Sequence, residues 1–199
     1  MRFARQLSLA AALLGASFTA QAVDFSNVPS GTYLSDPTHA YVSFQYTHLG
    51  LSRPILAFDD FSVDLNLDNA DVTKSTISVT IDPKSIQAGS DIWKSHLTSS
   101  DWFDVGSHPE ITFSSTSIEK TGDDTLKVVG DLTVKGTSSP VELDVKIHGA
   151  QPHPFNETPT IGFSAEGQLL RSAFGLGKSA PAVSDEIDLM ISVEVTNEG

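Results

Sequence analysis

Apolar and polar residues alternate along most of the chain. Val42, Phe44, Tyr46 and His48 alternate with Ser43, Gln45 and Thr47, and Phe61, Val63, Leu65 and Leu67 with Ser62, Asp64 and Asn66. The same period recurs over 77–81, 141–147 and 187–195, and more weakly over 110–119, 125–134 and 160–170. Period two marks strands with one buried and one wet face. Turn chemistry separates the runs at Asp68-Asn69, Asp82-Pro83, Thr121-Gly122-Asp123-Asp124, Lys135-Gly136-Thr137 and the Pro-rich stretch 152–159. About eight strands follow, with no long amphipathic helix to cover a sheet. Such strands either form a sandwich or close into a barrel. Closure removes the edges, and ~8 strands leave an interior that side chains fill or that holds one small ligand. Alternation alone does not separate the two.

The pattern breaks between the third and fourth strands. After Asp82-Pro83, Ser90 can cap a short helix over 91–98, with Ile92, Trp93, His96 and Leu97 on one face. Trp102 and Phe103 follow before alternation resumes at Glu110. This helix is either a packing plug or a lid whose aromatic face lines a cavity mouth. A second interruption, 171–177, is expected near it.

Composition sets the compartment and removes several chemistries. Arg2 and Arg5 precede an apolar run and an Ala20-Gln21-Ala22 end, the pattern of a secretory signal peptide over 1–22. Residues 23–199 are then one mature domain, large enough for a sizeable core. The net charge of −13 becomes more negative without the leader, a surface that repels nucleic acid and offers no polybasic patch to lipid headgroups. Cysteine is absent, which excludes disulfides, thiolate chemistry and Cys-based zinc sites. The six histidines show no ligand spacing, so neither a metal nor a cofactor is expected. No Gly-x-Ser-x-Gly elbow or Gly-rich loop opening a helix occurs. Asp101 and Asp104 have the spacing of paired carboxylates but fit turn caps better. What remains is an aromatic interior, either ordinary core or a greasy cavity. A long acyl or prenyl chain gains ~0.8 kcal/mol per buried methylene-sized unit, so ten units offer roughly 8 kcal/mol without any polar contact.

Four segments resemble the YceI-like family: HAYVSFQYTHLGLSR (39–53), HLTSSDWFDVGSHPEITFSSTSIEK (96–120), GDLTVKGTSSPVELDVKIHG (130–149), and RSAFGLG followed by SDEIDLMISVEV. The resemblance implies an all-β fold, an eight-stranded antiparallel lipocalin-like β-barrel with a short helical insert between its third and fourth strands. It also implies a polyisoprenoid or similar amphiphilic lipid within the barrel, and no catalysis. By position the family's His-Leu falls on His96-Leu97, its Asp-aromatic pair on Asp101, Trp102 and Phe103, and its Gly-Asp-Leu-Thr on 130–133. Where many members carry Arg-Asp before the histidine, this chain has Trp93 and Lys94. Thr98 replaces a common arginine, and Ala57 replaces a glycine. A rim more apolar than usual is expected.

The expectation is therefore a periplasmic barrel that sequesters or carries a polyprenyl or long-chain amphiphilic lipid. It is expected to act without nucleic acid or stable membrane insertion, as a monomer or homodimer. Phe44, Tyr46, Phe61, Trp93, Leu97, Trp102, Phe103, Phe113, Phe163 and Phe174 are the candidates to line the cavity. His48, Arg53, His96 and Arg171 are the candidates for a polar contact at its mouth. Two other classes remain open: a metal-dependent periplasmic enzyme using the scattered histidines, and a solid stress-response interaction module.

Overall fold

The computed structural model describes residues 23–197, so the expected leader over 1–22 lies outside the described residues. Ten antiparallel strands form among them: β1 (Gly31–Gln45), β2 (Ile55–Phe58), β3 (Phe61–Leu67), β4 (Thr76–Ile81), β5 (Ile86–Gln87), β6 (Ile111–Lys120), β7 (Thr125–Val134), β8 (Thr137–Pro152), β9 (Pro159–Leu170) and β10 (Glu186–Thr196). Eight of them, β1-β3-β4-β6-β7-β8-β9-β10, pair in a ring that β10 closes against β1. The barrel is closed, and the sandwich alternative falls away.

The two short strands shape one end. A bend at Asp59 and Asp60 separates β2 from β3, and a 3-10 turn over Pro83–Ser85 separates β4 from β5. Asp82 starts that turn by accepting a hydrogen bond from the Lys84 backbone N–H at 2.8 Å. Beyond these corners β5 pairs with β2 alone, while β6 stays on β4 through 111–114. The wall thus parts between β5 and β6. The gap is spanned by α1 (Asp91–Thr98), whose N-cap Ser90 accepts a hydrogen bond from the Trp93 N–H at 3.3 Å. The expected helix and its cap are in place. Residues 83–104 are not wholly outside the sheet, however, because Ile86 and Gln87 pair with β2.

Three bulges hide part of this sheet from a period-two reading. On β1 the register jumps between Ser35 and Ala40, so residues 36–39 face a single position of β10. Three extra residues reverse the inward parity: Tyr33 faces in before the bulge, and Val42 and Phe44 face in after it. Strand β1 therefore begins at Gly31, well before the expected Val42. An Asp36 carboxylate bonded to the Thr38 N–H (2.8 Å) and the His39 ring (2.9 Å) holds the bulge. Those bonds lower the Asp36 pKa to about 2. Bulges at Thr116 and His148 likewise shift the parity of β6 and β8.

The end opposite the gap is packed solid. Val28, Tyr33, Ile161, Val193 and Val195 are buried there, and the 3-10 turn over Phe25–Asn27 closes the floor. Tyr33, at 0 % exposure, donates its phenol O–H to the Pro29 carbonyl at 2.7 Å. Replacing Tyr33 by Phe should therefore cost about 1 kcal/mol, one buried hydrogen bond. Replacing it by Ala should cost about 3–5 kcal/mol, in the range of large aromatic truncations. Urea unfolding of the three proteins checks both, and equal losses would show that the hydrogen bond rather than the ring holds the floor.

Candidate functional site: an apolar cavity with a built mouth

The inward faces of the upper barrel enclose a cavity of about 630 Å³. Its walls are largely branched aliphatic side chains, represented on the eight ring strands by Val42, Val63, Val79, Ile111, Val128, Leu143, Leu169 and Ile191, with Phe44 beside Val42 on β1. Gly130 on β7 leaves room for Phe113, because a Cβ there would fall on the edge of the Phe113 ring.

The mouth is assembled from α1, the turn after it, and the loop between β9 and β10. Trp93, His96 and Leu97 line the cavity from α1. Ile92 does not share that face and is exposed. Positions 93, 96 and 97 form an i, i+3, i+4 stripe at 100° per residue, and Ile92 lies off its edge. Three aromatic contacts are edge-on: Trp93 meets Trp102 at 6.1 Å and His96 at 5.9 Å, and Phe58 meets Phe103 at 5.9 Å; Phe58 also meets Phe44 at 5.7 Å with the rings tilted by 31°.

Polar groups ring this level. Burial pushes the Tyr46 phenol pKa up, and a hydrogen bond with Trp93 and the Arg171 charge partly offset that rise. Arg171 opens the 3-10 turn Arg171–Phe174 and is 6 % exposed. Among the described residues it has no carboxylate partner. Its guanidinium donates to the carbonyls of Ser184 (2.8 Å), Lys178 (2.9 Å), Val183 (2.9 Å) and Leu176, and lies 5.7 Å from the Trp102 ring centroid. A cation so saturated with carbonyl dipoles ties the loop 175–184 together and presses it on the aromatic turn. Lys178 adds an exposed ion pair across the two inserts with Asp101 at 2.6 Å, which lowers the Asp101 pKa.

Of the fourteen expected site residues, twelve line this one cavity: Phe44, Tyr46, His48, Trp93, His96, Leu97, Trp102, Phe103, Phe113, Phe163, Arg171 and Phe174. Two do not. Arg53 lies on the outer wall, paired with the outward-facing Asp188 at 2.6 Å. Phe61 packs half-buried against the core beside Ile81, at the corner where β2 leaves β3. Most of the aliphatic wall was not singled out beforehand, and neither were Phe58, Leu169, Leu176, Lys178 and Val183. Phe58 sits on a strand of four residues, too short to show alternation, and the other four lie at the end of β9 or between β9 and β10.

The histidines do not converge. His39 binds Asp36 on the outer wall, His148 approaches Ser164 at 3.0 Å, and His153 stacks with Phe155. Among the described residues, Asp36, His39 and Glu194 do come within ligand-like distance of one another, but on the outer wall of the bulge and away from the cavity.

A closed antiparallel barrel, solid at one end and hollow at the other, with a helix and a loop over the opening, defines a lipocalin-like architecture. The YceI-like domain matches residues 33–195, and the chain belongs to that family. The chain is 34% identical to Protein YceI of Escherichia coli, over 92% of this chain and 95% of that protein. The crystal structure of Burkholderia cenocepacia BcnA matches with a TM-score of 0.73 at 26% identity, covering 80% of this chain and 98% of that one. A Campylobacter jejuni YCEI protein matches at 0.70 with 30% identity, covering 77% and 90%. A polyisoprenoid binding domain from Saccharophagus degradans shares the fold, with a TM-score of 0.64 at 12% identity over 84% of this chain and 99% of that one.

Replacing Arg171 by Met leaves several loop carbonyls without their donor, and should cost about 2–4 kcal/mol. Lys should recover little of this, because an ammonium cannot reproduce the planar fork. Urea unfolding of the parent, R171M and R171K checks it; full rescue by Lys would mean that charge, not fork geometry, holds the loop.

Proposed function

We propose that this protein binds an amphiphilic lipid of the polyisoprenoid kind in its barrel, as an exported periplasmic carrier or sequestering protein rather than an enzyme. The observation that carries the reading is the 630 Å³ apolar cavity with a built mouth. Its volume falls within the range of about 300–1,000 Å³ of sites that bury small molecules. Water is a poor filler, because each buried molecule wants about three polar partners and the shaft offers branched hydrocarbon. An apolar chain is the matching occupant. The Saccharophagus degradans neighbour, described as a polyisoprenoid binding domain, supports the chain type.

On this reading the tail lies among Val128, Leu143, Ala165 and Phe163, and the polar end stops at Tyr46, His48 and His96. Phe44, Trp93, Leu97, Trp102, Phe103, Phe113 and Phe174 line the path between, with Arg171 fixing the loop that frames it. No cofactor or metal is part of the reading, since the groups around the cavity offer no convergent ligand set.

Mass spectrometry of an organic extract from the purified protein tests this directly, and should yield a long-chain isoprenoid or related amphiphile. Added polyprenol should also raise the Tm of stripped protein, by roughly 2.7 kcal/mol of stability at a hundredfold excess over Kd, and shift tryptophan emission to the blue. Ala165→Trp should block the shaft and abolish both effects. Trp93→Asp places a carboxylate at the apolar mouth, and should weaken lipid binding about tenfold or more while the fold survives. If Trp93→Asp unfolds the barrel and lipid stabilises neither protein, α1 is a packing plug and the reading fails.

A further inference from the structure

We propose that the rim of the mouth, formed by Leu49, Leu51, Ile55 and Ile92, is a docking surface for a lipid bilayer; this rests on the reading of the cavity as a lipid site. Of six exposed leucines and isoleucines among the described residues, four form this rim; Leu170 ends β9, and Leu34 lies on β1 towards the floor. Leu51 is 83 % exposed and Ile92 is 75 % exposed, with Leu49 and Ile55 also in solvent. All four lie on elements that carry cavity-lining residues at the opening. Ile92 precedes Trp93 on α1, and Ile55 opens β2 opposite Gln45, next to Tyr46. Leu49 and Leu51 flank Gly50 in the turn that follows His48.

That turn is built, not frayed. His48 pairs in isolated bridges with Ser52 and with Val183. The Leu49 N–H donates to the Ala182 carbonyl at 3.0 Å, and the Leu51 N–H to the His48 carbonyl at 2.9 Å. Leu49 itself adopts φ 55, beside Gly50 at φ 69. A bulky residue in the left-handed region is uncommon, and Asn or Gly is the ordinary choice there. The fold thus holds a leucine in an uncommon conformation with about half of its surface in water. Strain of this kind is characteristic of contact sites.

The occupant follows from the cavity. An isoprenoid-sized tail is almost absent from water, so it enters or leaves the shaft where it is dissolved, in a membrane. An apolar rim around the opening lets the mouth meet the acyl layer without the ligand crossing water. The net charge of −13 argues against capture by anionic headgroups, so the attraction is apolar and insensitive to salt. This is transient surface docking, of the kind interfacial segments make with leucine-rich faces.

The test is flotation of the mature protein with phosphatidylcholine vesicles at low and high salt, using Leu51→Asp/Ile92→Asp and, as a control at the opposite end, Phe155→Asp. Phe155 is 92 % exposed in the loop between β8 and β9, so its replacement removes a large exposed apolar side chain away from the mouth. The parent and the Phe155 variant should float at both salt levels. The rim variant, with an unchanged Tm, should lose about tenfold in vesicle partition. Its uptake of polyprenol from vesicles should slow about as much, while uptake from a cyclodextrin complex stays within about twofold. Absence of uptake by either route in the parent would remove the lipid reading and leave the flotation result standing on its own. The docking proposal is overturned if the parent does not float, if the rim variant floats equally, if Phe155→Asp is the variant that fails, or if the rim instead holds the parent as a dimer that the rim substitutions dissociate.

Discussion

Everything in this molecule depends on the hydrogen-bonded seam between β1 and β10. The chain has no cysteine, so no covalent link holds the wall, and the ring is shut by backbone pairing from Leu34↔Thr196 to Gln45↔Asp188. Each of the eight ring strands has a hydrogen-bonded neighbour on both sides, so the ring is held by its own backbone rather than by its interior. That frees the interior from carrying the fold. An open sheet would have to bury its apolar face by collapse, whereas a closed one can keep a hollow, since its diameter is set by strand number and tilt. The bulge in β1 makes the seam workable. It lets one long strand pair with β10 throughout while passing from β3 at one end to β2 at the other.

Stability and function are consequently separated along the barrel axis. The floor around Tyr33, Val195 and Ile161 is packed as a core is, and the tolerance for substitution there is small. Towards the mouth, the wall parts at β5 and the covering pieces are held by a few specific contacts: Arg171 on its carbonyls and on Trp102, Lys178 on Asp101, Trp93 with Tyr46. Those contacts order the inserts without filling the shaft. The Lys178–Asp101 pair is exposed on both sides and contributes little to stability.

How much of this the sequence disclosed was decided by parity. Wherever alternation runs unbroken, as over 141–147 and 187–195, the inward residues read from the sequence are the ones that face the interior. Each bulge inserts an odd number of residues and reverses the pattern, which concealed the first eleven residues of β1 and weakened the signal in β6. A bulge is a tertiary compromise between two partner strands and leaves no local signature beyond Pro37 and its polar neighbours. The helix 91–98 was legible because its cap, Ser90, is a local device. Arg53 was misplaced for the opposite reason: its role is fixed by Asp188, far along the chain, on a face that only pairing can reveal. The resemblance to the YceI-like family added the lipid, which neither periodicity nor composition contains.

Arg171 sharpens what the mouth can recognise. A buried guanidinium beside an apolar cavity suggests at first an anion site, yet four of its N–H groups are already committed to carbonyls and its face to Trp102. A guanidinium offers five donors in a fixed fork, so little directed capacity is left for a ligand, and stripping a phosphate of its hydration for one remaining donor would be unfavourable. Tyr46, His48 and His96 are different. Each can donate or accept a hydrogen bond, and all three line the cavity at its opening. On the lipid-binding reading proposed above, these groups suit a hydroxyl or carbonyl head better than a phosphorylated one. A phosphate would find Arg171 already committed to the loop carbonyls and Lys178 already paired with Asp101.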